Sequence, residues 1–145
     1  MCGIALGVWH HEDTQPRDAW TSVISQIQRR GHDAYHSVAC TQDGTRWELH
    51  ASVLCLRGKE LTPQPITSQD GHLHLAWNGQ IFSSEHEDDS LLDMERNDGA
   101  IIMTRLEEHA DQIPDVLVST LSAVDGPYAF VLVDTRNACI YYGLS

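Results

Sequence analysis

Apolar and polar residues alternate along most of this chain with the two-residue period of a strand and switch to a helical period in a few places. Cys2 to Trp9, apolar with small residues, predicts a buried first strand. A polar loop through Pro16 follows, then Trp20, Val23, Ile24 and Ile27 fall at i, i+3, i+4 and i+7 of a helix. Arg29, Arg30 and Gly31 supply its end, cations beside the C-terminal dipole and a glycine cap. Ser37 to Thr41 and Arg46 to Ser52 predict strands around an Asp43-Gly44 turn, and Val53 to Leu56 continues the apolar pattern.

In the second half, Leu73, Leu75 and Trp77 alternate with His72, His74 and Ala76, as in a half-buried strand. Asn78-Gly79 predicts a tight turn into Ile81 and Phe82. Glu85 to Asp98 holds seven acidic residues against one arginine, which predicts a solvated loop. Asn97 or Asp98 is placed to cap a helix from about Gly99 to Ala110, and Asp115 to Leu121 follows Pro114 as another short helix. Tyr128 to Asp134 and Cys139 to Tyr142 form a last hairpin across Thr135-Arg136-Asn137. Hairpins dominate over βαβ units, so the fold class is α+β, a sandwich with antiparallel sheets.

Composition narrows the function. The 145 residues, 41% apolar with four tryptophans, suit one globular domain with a real core. A formal net charge of −12 argues against nucleic acid and against an anionic membrane as partners, because both require clustered Lys and Arg. Apolar runs such as Ala129 to Val133 are far too short to span a bilayer, and no basic-then-apolar leader opens the chain, which places it in the cytoplasm. Cys40, Cys55 and Cys139 lack metal or redox spacing and are expected as buried apolar residues.

The strongest chemical signal is the start, Met1-Cys2-Gly3-Ile4. Removal of Met1 would give Cys2 both a thiol nucleophile and an α-amine of pKa about 7.7–8.0, a base near neutral pH. His72 and His74, two apart on a strand, are a rival metal pair. No acidic or cysteine ligand is placed beside them by sequence, so they are expected as surface histidines and no metal site is assigned.

Four further motifs follow Cys2 in order: Arg30-Gly31-His32-Asp33, Trp77-Asn78-Gly79-Gln80-Ile81-Phe82, Asn97-Asp98-Gly99, and Asp125-Gly126-Pro127-Tyr128-Ala129-Phe130. Together with Leu54-Cys55-Leu56-Arg57-Gly58 and Gln64-Pro65, the chain resembles the glutaminase domain of class II glutamine amidotransferases, of the asparagine synthetase type, over residues 1–145. The resemblance implies an Ntn-hydrolase-type four-layer αββα sandwich. It implies Cys2 as nucleophile on glutamine, the Asn78 side chain and Gly79 N–H as oxyanion hole, and Asp98 as holder of the substrate ammonium. The products would be glutamate and ammonia, as in asparagine biosynthesis, with no cofactor for this half-reaction. ATP and magnesium belong to a synthetase domain for which this chain has no motif.

Three departures are visible. Gln80 stands where the family usually has Glu after Asn-Gly, and the family arginine before Gln-Pro is not at its position, leaving Arg57 as the nearest substitute. The family continues past the position of Ser145 with further strands, so the sandwich is expected to lack its C-terminal ones. A non-catalytic relative serving as a binding or regulatory module is the alternative reading.

Overall fold

The computed structural model describes residues 2–10, 17–54, 61–84 and 96–145. It is an α+β fold with antiparallel sheets, as the alternation predicts. In chain order the elements are β1 (Gly3–His10), α1 (Arg17–Arg30), β2 (Ala34–Gln42), β3 (Thr45–Val53), β4 (Ile66–Thr67), β5 (Leu73–Gly79) and β6 (Ser83–Ser84). They continue with α2 (Asp98–Glu108), a 3-10 turn over Ala110–Gln112, α3 (Ile113–Ser122), β7 (Val124–Asp125), β8 (Tyr128–Asp134) and β9 (Cys139–Leu144).

Strands β1, β3 and β2 make one sheet with β3 central; β4, β5, β8 and β9 make a second; β6 pairs with β7. Asp43 and Gly44 both have positive φ, the conformation that a two-residue hairpin needs to match strand twist, and they join β2 to β3. At the other hairpin the Asp134 carboxylate takes the N–H groups of Arg136 and Asn137, fixing the turn between β8 and β9.

The period-2 pattern decides what each sheet face meets. Trp47, Leu49 and Ala51 of β3 pack with Ile4 and Leu6 of β1 against Ala76, Val131, Val133 and Ile140 of the second sheet. Leu73, Leu75, Trp77, Phe130 and Leu132 point the other way, into a core with Ile102, Met103 and Leu106 of α2 and Ile113 and Leu117 of α3. Leu49, Leu75 and Leu132 are fully excluded from solvent, and each such side chain stabilises the fold by roughly 1.5–3 kcal/mol before entropy is counted.

Helix α1 lies on the remaining face of the first sheet. Ile27 is buried there, but Val23, which the helical period assigns to the same stripe, is 40% exposed at its rim. Ser52 accepts the Gly3 N–H at 3.1 Å and donates to the Ile27 carbonyl, so one buried hydroxyl joins β1, β3 and the last turns of α1. Beside it the Glu48 carboxylate receives Arg46 Nε and Nη2 at 3.0 and 2.7 Å and Trp20 Nε1 at 3.0 Å. His50 Nε2 lies 3.3 Å from the same carboxylate, and its Nδ1 is 2.6 Å from the Tyr35 hydroxyl.

Several expectations change in detail. Asn78 and Gly79 are the last two residues of β5, paired with Ala129 and Tyr128, and do not form a tight turn. Sheet pairing overrides the local turn preference of Asn-Gly. Cys40 and Cys139 are free thiols but half-buried, because their strands lie at the sheet margins; Cys55 lies outside the described residues, as does Glu85 to Glu95. His74 is also half-buried, its ring 5.5 Å from that of Trp47 and its Nδ1 3.1 Å from Thr67 Oγ1. No cluster of metal-ligating side chains occurs among the described residues.

Two outcomes test this account. Ser52→Ala should cost about 1–3 kcal/mol in urea unfolding, because it strands a buried N–H and a buried carbonyl; a loss within error of zero would contradict the three-way tie. Glu48 makes a pH prediction. Burial raises its pKa, but hydrogen bonds from Arg46, Trp20 and His50 outweigh that and hold it below the ordinary glutamate value. A carboxylate with a depressed folded pKa stabilises the fold above its unfolded pKa of about 4.3 and loses that contribution as pH falls through the folded value. Glu48→Gln should therefore flatten the fall in stability on acidification below about pH 5, and equal slopes for both proteins would refute it.

Candidate functional site

Widely separated stretches of chain converge on one cavity of about 400 Å³ between the ends of the two sheets. Its walls include Cys2 before β1, Leu54 after β3, Gln64 before β4, Asn78 and Gly79 ending β5, Asp98 opening α2, and Tyr128 opening β8. The size is that of a small-molecule pocket, and its apolar wall with a few polar groups is the usual composition of one.

Cys2 is brought to Asn78 across 76 positions of sequence: its N–H donates to Asn78 Oδ1 at 3.2 Å. Because an N–H can be met only by the oxygen of the amide, this bond fixes which way the Asn78 side chain faces. Its Nδ2 is left as the donor end. The Cys2 thiol lies 3.9 Å from the Leu54 carbonyl, a weak contact that holds the sulfur at the mouth of the cavity.

The next residues are set by close backbone packing. A Cβ on Gly79 would stand 2.5 Å from Tyr128 Cβ and 2.7 Å from the Pro127 carbonyl oxygen, so only glycine lets β5 run this close to β8. Gly126, at φ +145°, passes so near Gln80 that a Cβ would fall 2.0 Å from the Gln80 carbonyl oxygen. Gln80 N–H donates to the Pro127 carbonyl at 3.1 Å and Phe82 N–H to that of Asp125 at 2.9 Å. The Asp-Gly-Pro-Tyr motif is thus the partner strand of Asn-Gly-Gln.

Asn97, not Asp98, caps α2, its Oδ1 accepting the Gly99 N–H at 3.0 Å. Asp98 is only 4% exposed and turns back, its Oδ2 accepting the Ile81 N–H at 2.9 Å. A carboxylate in the first turn is favoured by the helix dipole, which supports this buried charge. Gln80 lines the cavity beside it, half-buried. Arg57 lies outside the described residues.

The structure brings together Cys2, Asn78, Gly79, Gln80 and Asp98, and adds residues to which the sequence assigns no role. Trp77 stacks on Tyr128 with ring centroids 5.1 Å apart and planes 21° from parallel, which stiffens the β5 to β8 seam. Gln64, 2% exposed, accepts the Trp77 N–H at 2.7 Å through Oε1. Gln64 directly precedes Pro65 and β4, so its side chain meets the Trp77 backbone just beyond the paired residues of that strand. His72 and His74 lie elsewhere, toward the β8 to β9 turn. Chemically the cavity offers a thiol, an amide donor beside a strand-end N–H, and a buried carboxylate.

The chain is similar to known proteins over nearly its whole length. A profile of the family described as the glutamine amidotransferase domain matches residues 1–143. Asparagine synthetase domain-containing protein 1 of Bos taurus is 29% identical over 143 residues, covering 99% of this chain and 21% of that protein. Its Gallus gallus counterpart is 30% identical over 146 residues, covering 99% and 22%. Asparagine synthetase [glutamine-hydrolyzing] of Asparagus officinalis is 29% identical over 143 residues, covering 96% and 22%. The chain therefore spans about a fifth of the length of these relatives. With a match over residues 1–143 that takes in Cys2, the Asn-Gly strand end and the buried aspartate, the chain belongs to the glutamine amidotransferase domain family.

Proposed function

We propose that this chain is a glutaminase domain of the asparagine synthetase type, hydrolysing glutamine to glutamate and ammonia through Cys2, in the four-layer sandwich of the N-terminal-nucleophile hydrolases. The observation that carries the reading is the bond from Cys2 N–H to Asn78 Oδ1, which sets the first residue of a processed chain against a strand-end amide. Loss of Met1 converts that N–H into an amine, which keeps a donor for Asn78 and gains a lone pair.

The amine takes the thiol proton and the sulfur attacks the side-chain carbonyl of glutamine. Negative charge develops on the carbonyl oxygen between Asn78 Nδ2 and Gly79 N–H, both preorganised by the packing of β5. Collapse expels ammonia, which carries away the proton that the amine had taken. Water then attacks the thioester, the amine again taking a proton, and glutamate leaves as Cys2 recovers its thiol. The Asp98 carboxylate attracts the substrate α-ammonium, and Gln80, neutral where the family has Glu, adds a hydrogen-bonding group without a second charge. No cofactor enters these steps.

The neutral Gln80 favours one second reading, a relative that binds glutamine or a similar amino acid without turning it over. Two measurements separate them. Cys2→Ala should abolish glutamate release by protein shown by mass spectrometry to begin at residue 2, with an unchanged circular dichroism spectrum; turnover at the parent rate would end the nucleophile assignment. Asn78→Ala should slow single-turnover acylation by about 10²–10³-fold with glutamine affinity little changed, since the oxyanion exists only beyond the ground state. A raised dissociation constant at an unchanged rate would make Asn78 a binding residue instead.

A further inference from the structure

The cavity has a charge problem that its described residues solve in one place. An amino acid brings an ammonium and a carboxylate on the same carbon. Asp98 suits the first and repels the second. Among the described residues lining the cavity no side chain is cationic, and the donors they offer to a carboxylate are neutral ones.

Gln64 has the required properties. It is 2% exposed, so its side chain is held on nearly all sides, yet it lines the cavity. Its Oε1 is committed to the Trp77 N–H at 2.7 Å, a donor that only the oxygen can meet. The amide cannot flip without stranding that buried N–H, so Nε2 is locked as the outer, donating end. No hydrogen-bond partner for Nε2 occurs among the described residues. A donor so oriented, on a side chain that lines the cavity, is open to a ligand there.

Its neighbourhood also fits. A Cβ on Gly99 would lie 3.0 Å from Trp77 Cβ and 3.2 Å from Ile66 Cδ1, so the first turn of α2 rests on the residue that Gln64 binds and on the strand that follows Gln64. That places the Asp98 end of α2 and the Gln64 amide on the same side of the cavity, with Asn78 between their anchor points at Trp77 and Ile81. A substrate α-carbon held there presents its ammonium to the one and its carboxylate to the other.

We propose that Gln64 Nε2 is a donor that recognises the α-carboxylate of the bound amino acid. The inference rests on the glutaminase reading above and assigns to it a specificity residue. A neutral donor and a charged one differ in consequence: an amide can be inverted in polarity by one substitution, Gln64→Glu, which keeps an oxygen for Trp77 N–H while replacing the donor with an anionic acceptor.

The test is calorimetric titration of two probes, L-glutamine and L-glutaminamide, in which the α-carboxylate is replaced by a neutral carboxamide. Both proteins carry Cys2→Ser to suppress turnover. The parent should bind glutamine more tightly than glutaminamide. Gln64→Glu should weaken glutamine at least tenfold and reverse the preference, since its carboxylate repels one probe and accepts an N–H from the other. A merely structural Gln64 would weaken both probes alike and leave their ratio unchanged, which would overturn the inference while leaving the glutaminase reading intact. Should Gln64→Glu fail to fold, Gln64→Met, which removes the donor without adding charge, should bring the ratio of the two affinities toward one; an undiminished ratio there refutes it equally. A folded parent that binds neither probe would instead remove the glutaminase reading, and this inference with it.

Discussion

The stacking of the two sheets is the constraint from which the cavity follows. Each sheet has one face whose side chains cannot be satisfied by water, and the β3 face of Trp47, Leu49 and Ala51 meets Ala76 and Val133 across the gap. The small side chain of Ala76, fully buried, lets the first sheet settle over β5 at this point. Once the sheets are so placed, the start of β1 and the end of β5 arrive at the same edge of the sandwich, and the contact between Cys2 and Asn78 needs no further device. The site is a by-product of core packing at one end of the two stacked sheets.

Polar groups then finish what burial begins. Each buried polar side chain near the cavity also ties the fold: Gln64 holds the Trp77 backbone just before β4, Asp98 fastens the segment after Gly79 to the helix, and Ser52 seats α1 on the start of β1. None is a spare group placed only for chemistry. Substitutions here therefore combine effects on fold and on binding, and separating them requires variants that preserve one end of the side chain while changing the other.

Much of this was legible in the sequence. The strands read at Cys2–Trp9, Arg46–Ser52 and Tyr128–Asp134 occur as Gly3–His10, Thr45–Val53 and Tyr128–Asp134, and α1 follows from its period and its basic end. Cys2, Asn78, Gly79, Gln80 and Asp98 were singled out by the order of motifs that are each weak, and all five line one cavity. Misreadings arose where local and tertiary preferences disagree. Asn-Gly is a turn signal in isolation, but β8 offers both residues a ladder to complete. Gln64 carried no local signal of a binding role, because its significance lies in a bond to a residue 13 positions away. Arg57 falls in a stretch that is not described, so its part in the carboxylate question rests with the sequence alone.

One further feature bears on how the chain behaves among copies of itself. Tyr142 and Leu144 are 78% and 82% exposed on β9, whose outer side has no strand partner among the described residues. From Cys139 to Leu144 this edge carries no acidic or basic residue, whereas the chain as a whole carries a net charge of −12. Long-range repulsion keeps copies apart, but that repulsion is screened over about 8 Å at physiological ionic strength. A neutral, apolar strand edge is the surface that takes over once screening is complete. Among the described residues, the acidic composition thus acts as the colloidal guard of a strand edge that carries no charge itself, and salt, which is commonly added to keep proteins in solution, weakens that guard.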